Sequence, residues 1–422
     1  MENIIRILKE FPQITNYKIC ETKKTSYETF FVHEKLETVR ATSTTDKSVT
    51  IYRSHDGKLG NSVFAVYAST TEQELRQKIA LAIEKAELVN NQSYELPQKE
   101  TLSDDIYSNM SEYSPAELAY QIAKACFEAN DEKNASINAL EIFINKIRLR
   151  VVNGNGLDKC EQKYTAMIEA IPTWTEGESV ELYERYDFSN FNYDEIKEEI
   201  GRKMQEVKDR YFAKKPTINP ACKVVLNAPE LSSMLSSIAY ELSYRTVYSH
   251  SNAFKKGDNL QDGDCDKLSI TLCGQIEGSH RNRLFDDDGV SLTPIKVIEN
   301  GVVVNYHGDN RFAQYLGEKI TGDLPCMQVN AGSLSEDDIS KEPYFECLSM
   351  SGLQLDIYND YIGGEVRLAY YFDGKKKIPL TGVSISGKLS DALSTLRLSD
   401  KIVTRGGYRG PHKATLDKIS II

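Results

Sequence analysis

The sequence predicts an α+β protein: two related N-terminal α+β modules, then a β-rich C-terminal domain, barrel-like or sandwich. Three observations predict it. A strand–turn–strand–helix order occurs twice in the first half of the chain. Short apolar runs separated by Asp-Gly and Asn-Gly turns fill most of the rest. At 422 residues the chain is too long for one ordinary compact unit. The predicted division is 1–100, 101–216 and 217–422.

In the first module, Phe30 to Val32, Val39, Val49 to Tyr52 and Val63 to Tyr67 read as extended segments, with a turn at Asp56-Gly57. Thr71 and Glu74 have capping-box spacing, and Leu75, Ile79 and Ile83 form one apolar stripe behind them. A polar linker is expected from Leu96 to Asp105. Ser114-Pro115-Ala116-Glu117 then opens a helix. The second copy runs from Ile142 to Val152, through the turn Asn153-Gly154-Asn155-Gly156, to extended runs at Tyr164–Ile171 and Ser179–Tyr186. A helix from about Asn192 carries Ile196, Ile200, Met204 and Val207 in register.

The character changes at Lys214-Lys215-Pro216. Val224 to Leu226 reads as a buried strand. Pro229 to Ser243 reads as a helix with Leu231, Met234, Leu235, Ile238 and Leu242 on one face. Turns at Asp288-Gly289, Asn300-Gly301 and Asp373-Gly374 punctuate the β-rich remainder.

The composition narrows the function classes. With 40% hydrophobic and 27% charged residues, the profile is that of a soluble globular chain. A formal charge of −11 speaks against gripping nucleic acid by its phosphates, and Lys375, Lys376 and Lys377 read as a solvated turn. No stretch nears the ~20 apolar residues of a membrane helix, and Met1 to Phe11 does not read as a secretory or transit signal. Eight scattered cysteines without a CxxC pair read as free thiols in a reducing compartment. A cytoplasmic location is the expectation.

No catalytic centre stands out. Gly406-Gly407-Tyr408-Arg409-Gly410 lies between β-segments and reads as a loop rather than a phosphate cradle. Asp262, Asp264 and Asp266 alternate as a calcium loop begins, but Lys267 and Cys273 stand where that loop needs Gly and Glu. Asp286-Asp287-Asp288-Gly289 reads as a turn. No two of the six histidines have helical ligand spacing; His250, His280 and His307 remain as candidates for a zinc site assembled from distant residues.

The ordered features of the third domain resemble the TldD/PmbA family, the zinc-peptidase family long labelled modulators of DNA gyrase. The residues that carry the resemblance are Val224-Val225-Leu226 and Pro229-Glu230, then Phe285-Asp286 with Asp288-Gly289-Val290. Val297-Ile298-Glu299-Asn300-Gly301-Val302-Val303 follows, then Asn310, Ala313, Leu316-Gly317 and Thr321-Gly322, and finally the run from Pro379 to Leu389. The N-terminal repeat resembles the family's duplicated modules.

The resemblance implies most where the chain departs from it. In the TldD branch the first helix of the third domain bears HExxxH, and a late cysteine completes the zinc site. Laid on this sequence, the motif's His, Glu and second His fall in that order at Ser236, Ser237 and Glu241; the cysteine falls within Val403 to Gly407, where none exists. The resemblance is therefore to the PmbA/TldE-like branch, which lacks these groups. It implies a chain without catalytic residues, metal ligands or cofactor of its own and inactive alone, with zinc in a TldD-like partner and unfolded peptides as substrates for proteolysis and peptide maturation. Assembly is expected as a heterodimer with that partner or as a homodimer. An active metallopeptidase with a displaced metal site, and a non-proteolytic regulator binding DNA gyrase or toxin–antitoxin proteins, are the alternatives.

Overall fold

The computed structural model describes all 422 residues. The first half begins with α1 (Glu2–Leu8), β1 (Asn16–Val32), β2 (Lys35–His55), β3 (Lys58–Val66), α2 (Glu72–Glu87) and β4 (Asn91–Gln92). It continues with β5 (Thr101–Asp105), α3 (Pro115–Phe127), β6 (Ala135–Asn153), β7 (Asp158–Glu176), β8 (Glu178–Glu181), β9 (Glu184–Phe188) and α4 (Tyr193–Phe212).

All nine strands form one sheet, ordered β4-β3-β2-β1-β6-β7-β5, with β8 and β9 also paired to β7. The two copies of the repeat meet at β1 and β6, which run antiparallel from Lys18 opposite Asn153 to Val32 opposite Ala139. Two cores lie over this sheet. One joins α1 and α2 to β1, β2 and β3 through Ile7, Ile19, Ile51 and Ile79; the other joins α3 and α4 to β6 and β7 through Ile122, Ile142, Ile168 and Ile200.

Local chemistry explains the boundaries. Thr71 and Glu74 complete a reciprocal capping box at α2, Ser114 accepts from Glu117 N at α3, and Asn192 accepts from Asp194 N and Glu195 N at α4. Asp56 and Gly57 both take positive φ, 47° and 72°, as a tight two-residue hairpin requires. Two expectations need correction. The stretch expected as a wholly polar linker contains β5, whose Thr101–Asp105 pairs in parallel with Asp158–Gln162 of β7. The separate segments expected around Val32 and Val39 are parts of the long β1 and β2. The outer half of β2 is solvent-exposed, so its Thr- and Ser-rich sequence shows no apolar alternation. Within β2, β3 pairs only with Lys47–His55, which leaves the outer edge of β2 from Leu36 to Asp46 without a strand partner.

The remaining chain builds two more open sheets. The nine-stranded sheet is centred on Lys223–Asn227, Tyr344–Met350 and Tyr361–Phe372, and its main path ends on the two-residue strands Arg397–Leu398 and Ser420–Ile421. The six-stranded sheet is centred on Ile270–Cys273 and Cys326–Val329. Neither closes, so the barrel alternative gives way to two sheets sharing a core of 35 buried residues. The short edge strands offer too few backbone groups to pair the sheet ends and close a cylinder.

Helix α5 (Ala228–Tyr240) is the central helix of that core: Leu231, Met234, Leu235, Ile238 and Ala239 are all buried. It stops sooner than the apolar spacing suggests. Glu241 caps its end, and Ser243 opens the short helix α6 (Tyr244–Tyr248) by accepting from Thr246 N.

One face of β7 docks the third domain onto the first sheet. Lys159, Glu161 and Lys163 alternate with period two and so point the same way. Lys159 Nζ reaches Ser291 Oγ at 2.6 Å and Glu100 at 2.7 Å. Glu161 pairs with Arg283 and accepts from Leu284 N. Lys163 Nζ donates to the His280 and Asn282 carbonyls at 2.9 and 3.0 Å, and burial pushes its ammonium down to about 8.

The division of α5 into two faces has a direct test. Leu235→Ala empties a fully buried position and is expected to cost about 2–5 kcal/mol in urea unfolding. Ser233→Ala, on the exposed face, is expected to fall within about 0.5 kcal/mol of wild type.

Candidate functional site

Ser236, Ser237 and Glu241 line a single open pocket of about 540 Å³ on the outer face of α5. The apolar stripe that buries the other face of the helix turns them there. Ser233 and Tyr240 complete the helical wall, and Leu355, Asp356, Ile357 and Tyr358 form the opposite wall. That second wall lies more than a hundred residues away along the chain, at the end of the strand Gln354–Asp356 and in the turn that leads to Tyr361–Phe372, and nothing in the sequence ties it to α5.

Glu241 holds the pocket's end together. Its side chain is buried, and its Oε2 accepts from Ala253 N at 2.8 Å and from Tyr358 Oη at 3.0 Å. The Tyr358 hydroxyl also contacts the Ser251 carbonyl. Ser237 Oγ donates back to the Ser233 carbonyl at 3.1 Å, the usual exposed-helix use of a serine. Asp356 accepts from Asn359 N and Nδ2, and these bonds hold its carboxyl below its ordinary range.

These donors do not fit zinc. The pocket offers serine and tyrosine hydroxyls, Asp356, and a carboxylate already committed to Ala253 and Tyr358, with neither imidazole nor thiolate. The three candidate histidines do not converge either. His307 donates from Nε2 to the Ala239 carbonyl at 3.0 Å and so tethers the last turn of α5; burial lowers its pKa. His280 lies against the Gly406 turn and is likewise lowered by burial. His250 sits exposed with φ 56°. No group of three His, Cys, Asp or Glu side chains is placed to hold a metal ion.

The other weighed motifs have structural uses. Asp266 Oδ2 accepts from Leu398 N, and Asp264 and Asp266 both pair with Arg397, so this acidic run joins two loops. Asp286 Oδ1 accepts from Asp288 N and Val290 N, closing a turn in which Gly289 takes φ 82°. Gly406 turns a hairpin between Ile402–Arg405 and Tyr408–Pro411. Arg405, in the stretch aligned with the family cysteine, stacks over Tyr186 at 4.9 Å and pairs with Glu199 of α4. All eight cysteines are free thiols.

Two variants test this electrostatic description. Glu241→Ala strands Ala253 N–H and is expected to cost about 1–3 kcal/mol, read by urea unfolding. Glu230, in the first turn of α5, is pushed by burial from an ordinary 4.5 up to about 7. Its contribution to stability is therefore full below its unfolded pKa and is lost as pH rises through about 7. Glu230→Gln should raise the melting temperature relative to wild type at pH 8, and that advantage should shrink as the pH falls to 5.

Comparison with known proteins places the fold. Residues 220–422 match the family model of the PmbA/TldA metallopeptidase C-terminal domain. No curated protein matches the chain. Among solved structures, TldE from Thermococcus kodakarensis is similar over 100% of this chain and 99% of its own, with a TM-score of 0.81 at 17% identity. A protein from Thermotoga maritima described as a candidate modulator of a DNA gyrase matches with a TM-score of 0.78 at 14% identity, covering 100% of this chain and 99% of its own. One from Bacteroides thetaiotaomicron, described in similar terms, gives 0.79 at 14% identity over 100% and 97%. At such identities the structural likeness is one of fold, and the family match is to the third domain. Residues 220–422 are thus a PmbA/TldA metallopeptidase C-terminal domain, carried on a chain whose whole fold is that of TldE from Thermococcus kodakarensis.

Proposed function

We propose that this chain is the non-catalytic, TldE-like subunit of a zinc peptidase that cuts unfolded peptides. One observation carries the reading: the three positions aligned with the family's zinc motif hold Ser236, Ser237 and Glu241, and all three line one pocket. A hydroxyl cannot replace an imidazole as a tight zinc ligand, and Glu241 already serves Ala253 and Tyr358. In this reading a TldD-like partner supplies the zinc-bound water and its general base. This chain supplies contact surface and part of the wall that holds an extended peptide.

The test is a tagged pull-down from native extract, followed by mass spectrometry and metal analysis. Recovery of a similar-sized chain bearing HExxxH, with zinc following that chain, is the expected result. The isolated chain should hydrolyse no peptide, and a chelator should leave its melting temperature unchanged. One zinc per isolated chain, with peptidase activity lost on chelation, would overturn the reading.

A further inference from the structure

The pocket on the outer face of α5 has a charge pattern that its place in the family does not explain. Among its nine lining residues are two carboxylates, Glu241 and Asp356, and no basic side chain. Glu241 is only 7% exposed, yet just one of its oxygens is used. Oε2 takes both hydrogen bonds, whereas Oε1 accepts none from the protein and is not sealed from solvent. A carboxylate has about four acceptor positions, so Oε1 remains open to a donor that enters the pocket. Asp356 stands opposite as a second anion, kept ionised by the two bonds from Asn359.

The rest of the lining suits the same kind of ligand. Tyr240 and Tyr358 are 60% and 65% exposed, and aromatic faces attract cations. Ser233, Ser236 and Ser237 add hydroxyl oxygens that can accept from an N–H donor. The volume, about 540 Å³, exceeds that of any single side chain, so a head group can enter with its neighbouring backbone. An anionic group such as a peptide C-terminus would meet two like charges and no counter-ion.

We propose that this pocket binds a cationic group, an ammonium or guanidinium, presented by an extended peptide, with Glu241 Oε1 as its principal acceptor. The proposal rests on the reading that the chain holds peptide without cutting it. The same chemistry could come from a lysine or arginine side chain or from the amino terminus of the peptide.

Calorimetric titration of the full chain separates the possibilities. The probes are acetyl-Ala-Ala-Lys-Ala-Ala-amide, its Lys→Gln counterpart, and Ala-Ala-Ala-Ala-Ala-amide with a free amino terminus. The lysine peptide is expected to bind at least about tenfold more tightly than the glutamine peptide, and this preference should weaken with salt. A free-terminus peptide that matches the lysine peptide shows that the site takes either ammonium; one that matches the glutamine peptide assigns it to side chains.

Glu241→Gln keeps an oxygen for Ala253 N–H and should abolish the preference. Ser236→Lys, at an exposed helical position, fills the pocket with its own ammonium and should do the same. Both variants should melt close to wild type. Equal binding of the lysine, glutamine and free-terminus peptides, or a preference unchanged in both variants, overturns the proposal. Peptide recovered intact after titration agrees with holding without cutting. Cleaved peptide would overturn the non-catalytic reading alone, so the two failures are told apart.

Discussion

Burial of one stripe of α5 fixes the direction of everything on its other side. Leu231, Met234, Leu235 and Ile238 are fully enclosed between the two sheets of the third domain. Turning the helix would expose several of them at once, at a cost of about 1.5–3 kcal/mol for each large apolar side chain. Ser233, Ser236, Ser237 and Tyr240 are therefore held on the pocket side whatever their chemistry. His307 secures the far end of the helix through the Ala239 carbonyl, and Glu241 ties that end to the loop carrying Ala253. The scaffold thus fixes which residues face the pocket independently of what those residues are. The chemistry of the pocket then rests on the identity of a few outward residues.

The docking of the third domain onto the first sheet uses a different kind of force. Lys159 and Glu161 are almost wholly enclosed, and each finds an opposite charge. Such pairs add little net stability compared with apolar packing, but removal of one partner strands the other in a poor solvent. Their value here is directional. Charges at alternate positions of β7 meet partners in the 283–291 region and at Glu100, so a slip of the domain along the strand would separate several pairs together. Arg405 with Glu199, and Lys18 with Asp288, extend this fixed alignment to α4 and β1.

Features governed by short-range chemistry were the legible ones. Thr71 with Glu74, Asn192, Asp56-Gly57 and Asn300-Gly301 satisfy or turn the backbone within a few residues, so their spacing alone identifies them. What depends on distant partners left no local signal. β5 is a strand only because β7 lies beside it, and the merger of the two repeats depends on β1 meeting β6. The pocket divides along the same line. The serines and Glu241 follow from the helical stripe, whereas Tyr358 and Asp356 arrive from a turn whose proximity only the folded chain creates. Likewise, Glu230 reads as an ordinary first-turn acid, and only the folded surroundings raise its pKa.

The unpartnered outer edge of β2 has a consequence for how the molecule coexists with its own copies. From Leu36 to Asp46 a row of backbone donors and acceptors faces solvent, a pattern on which further strands can grow. Apart from the exposed Leu36 and Val39, this edge is polar, with Thr38, Thr42, Ser43, Thr44 and Thr45, and Glu37, Arg40 and Asp46 space charges along it. An incoming strand must then match charge as well as hydrogen-bond register, because like charges directly opposite are destabilising. The edge thus acts as a filter on association, tolerant of water and demanding of any strand that would replace it.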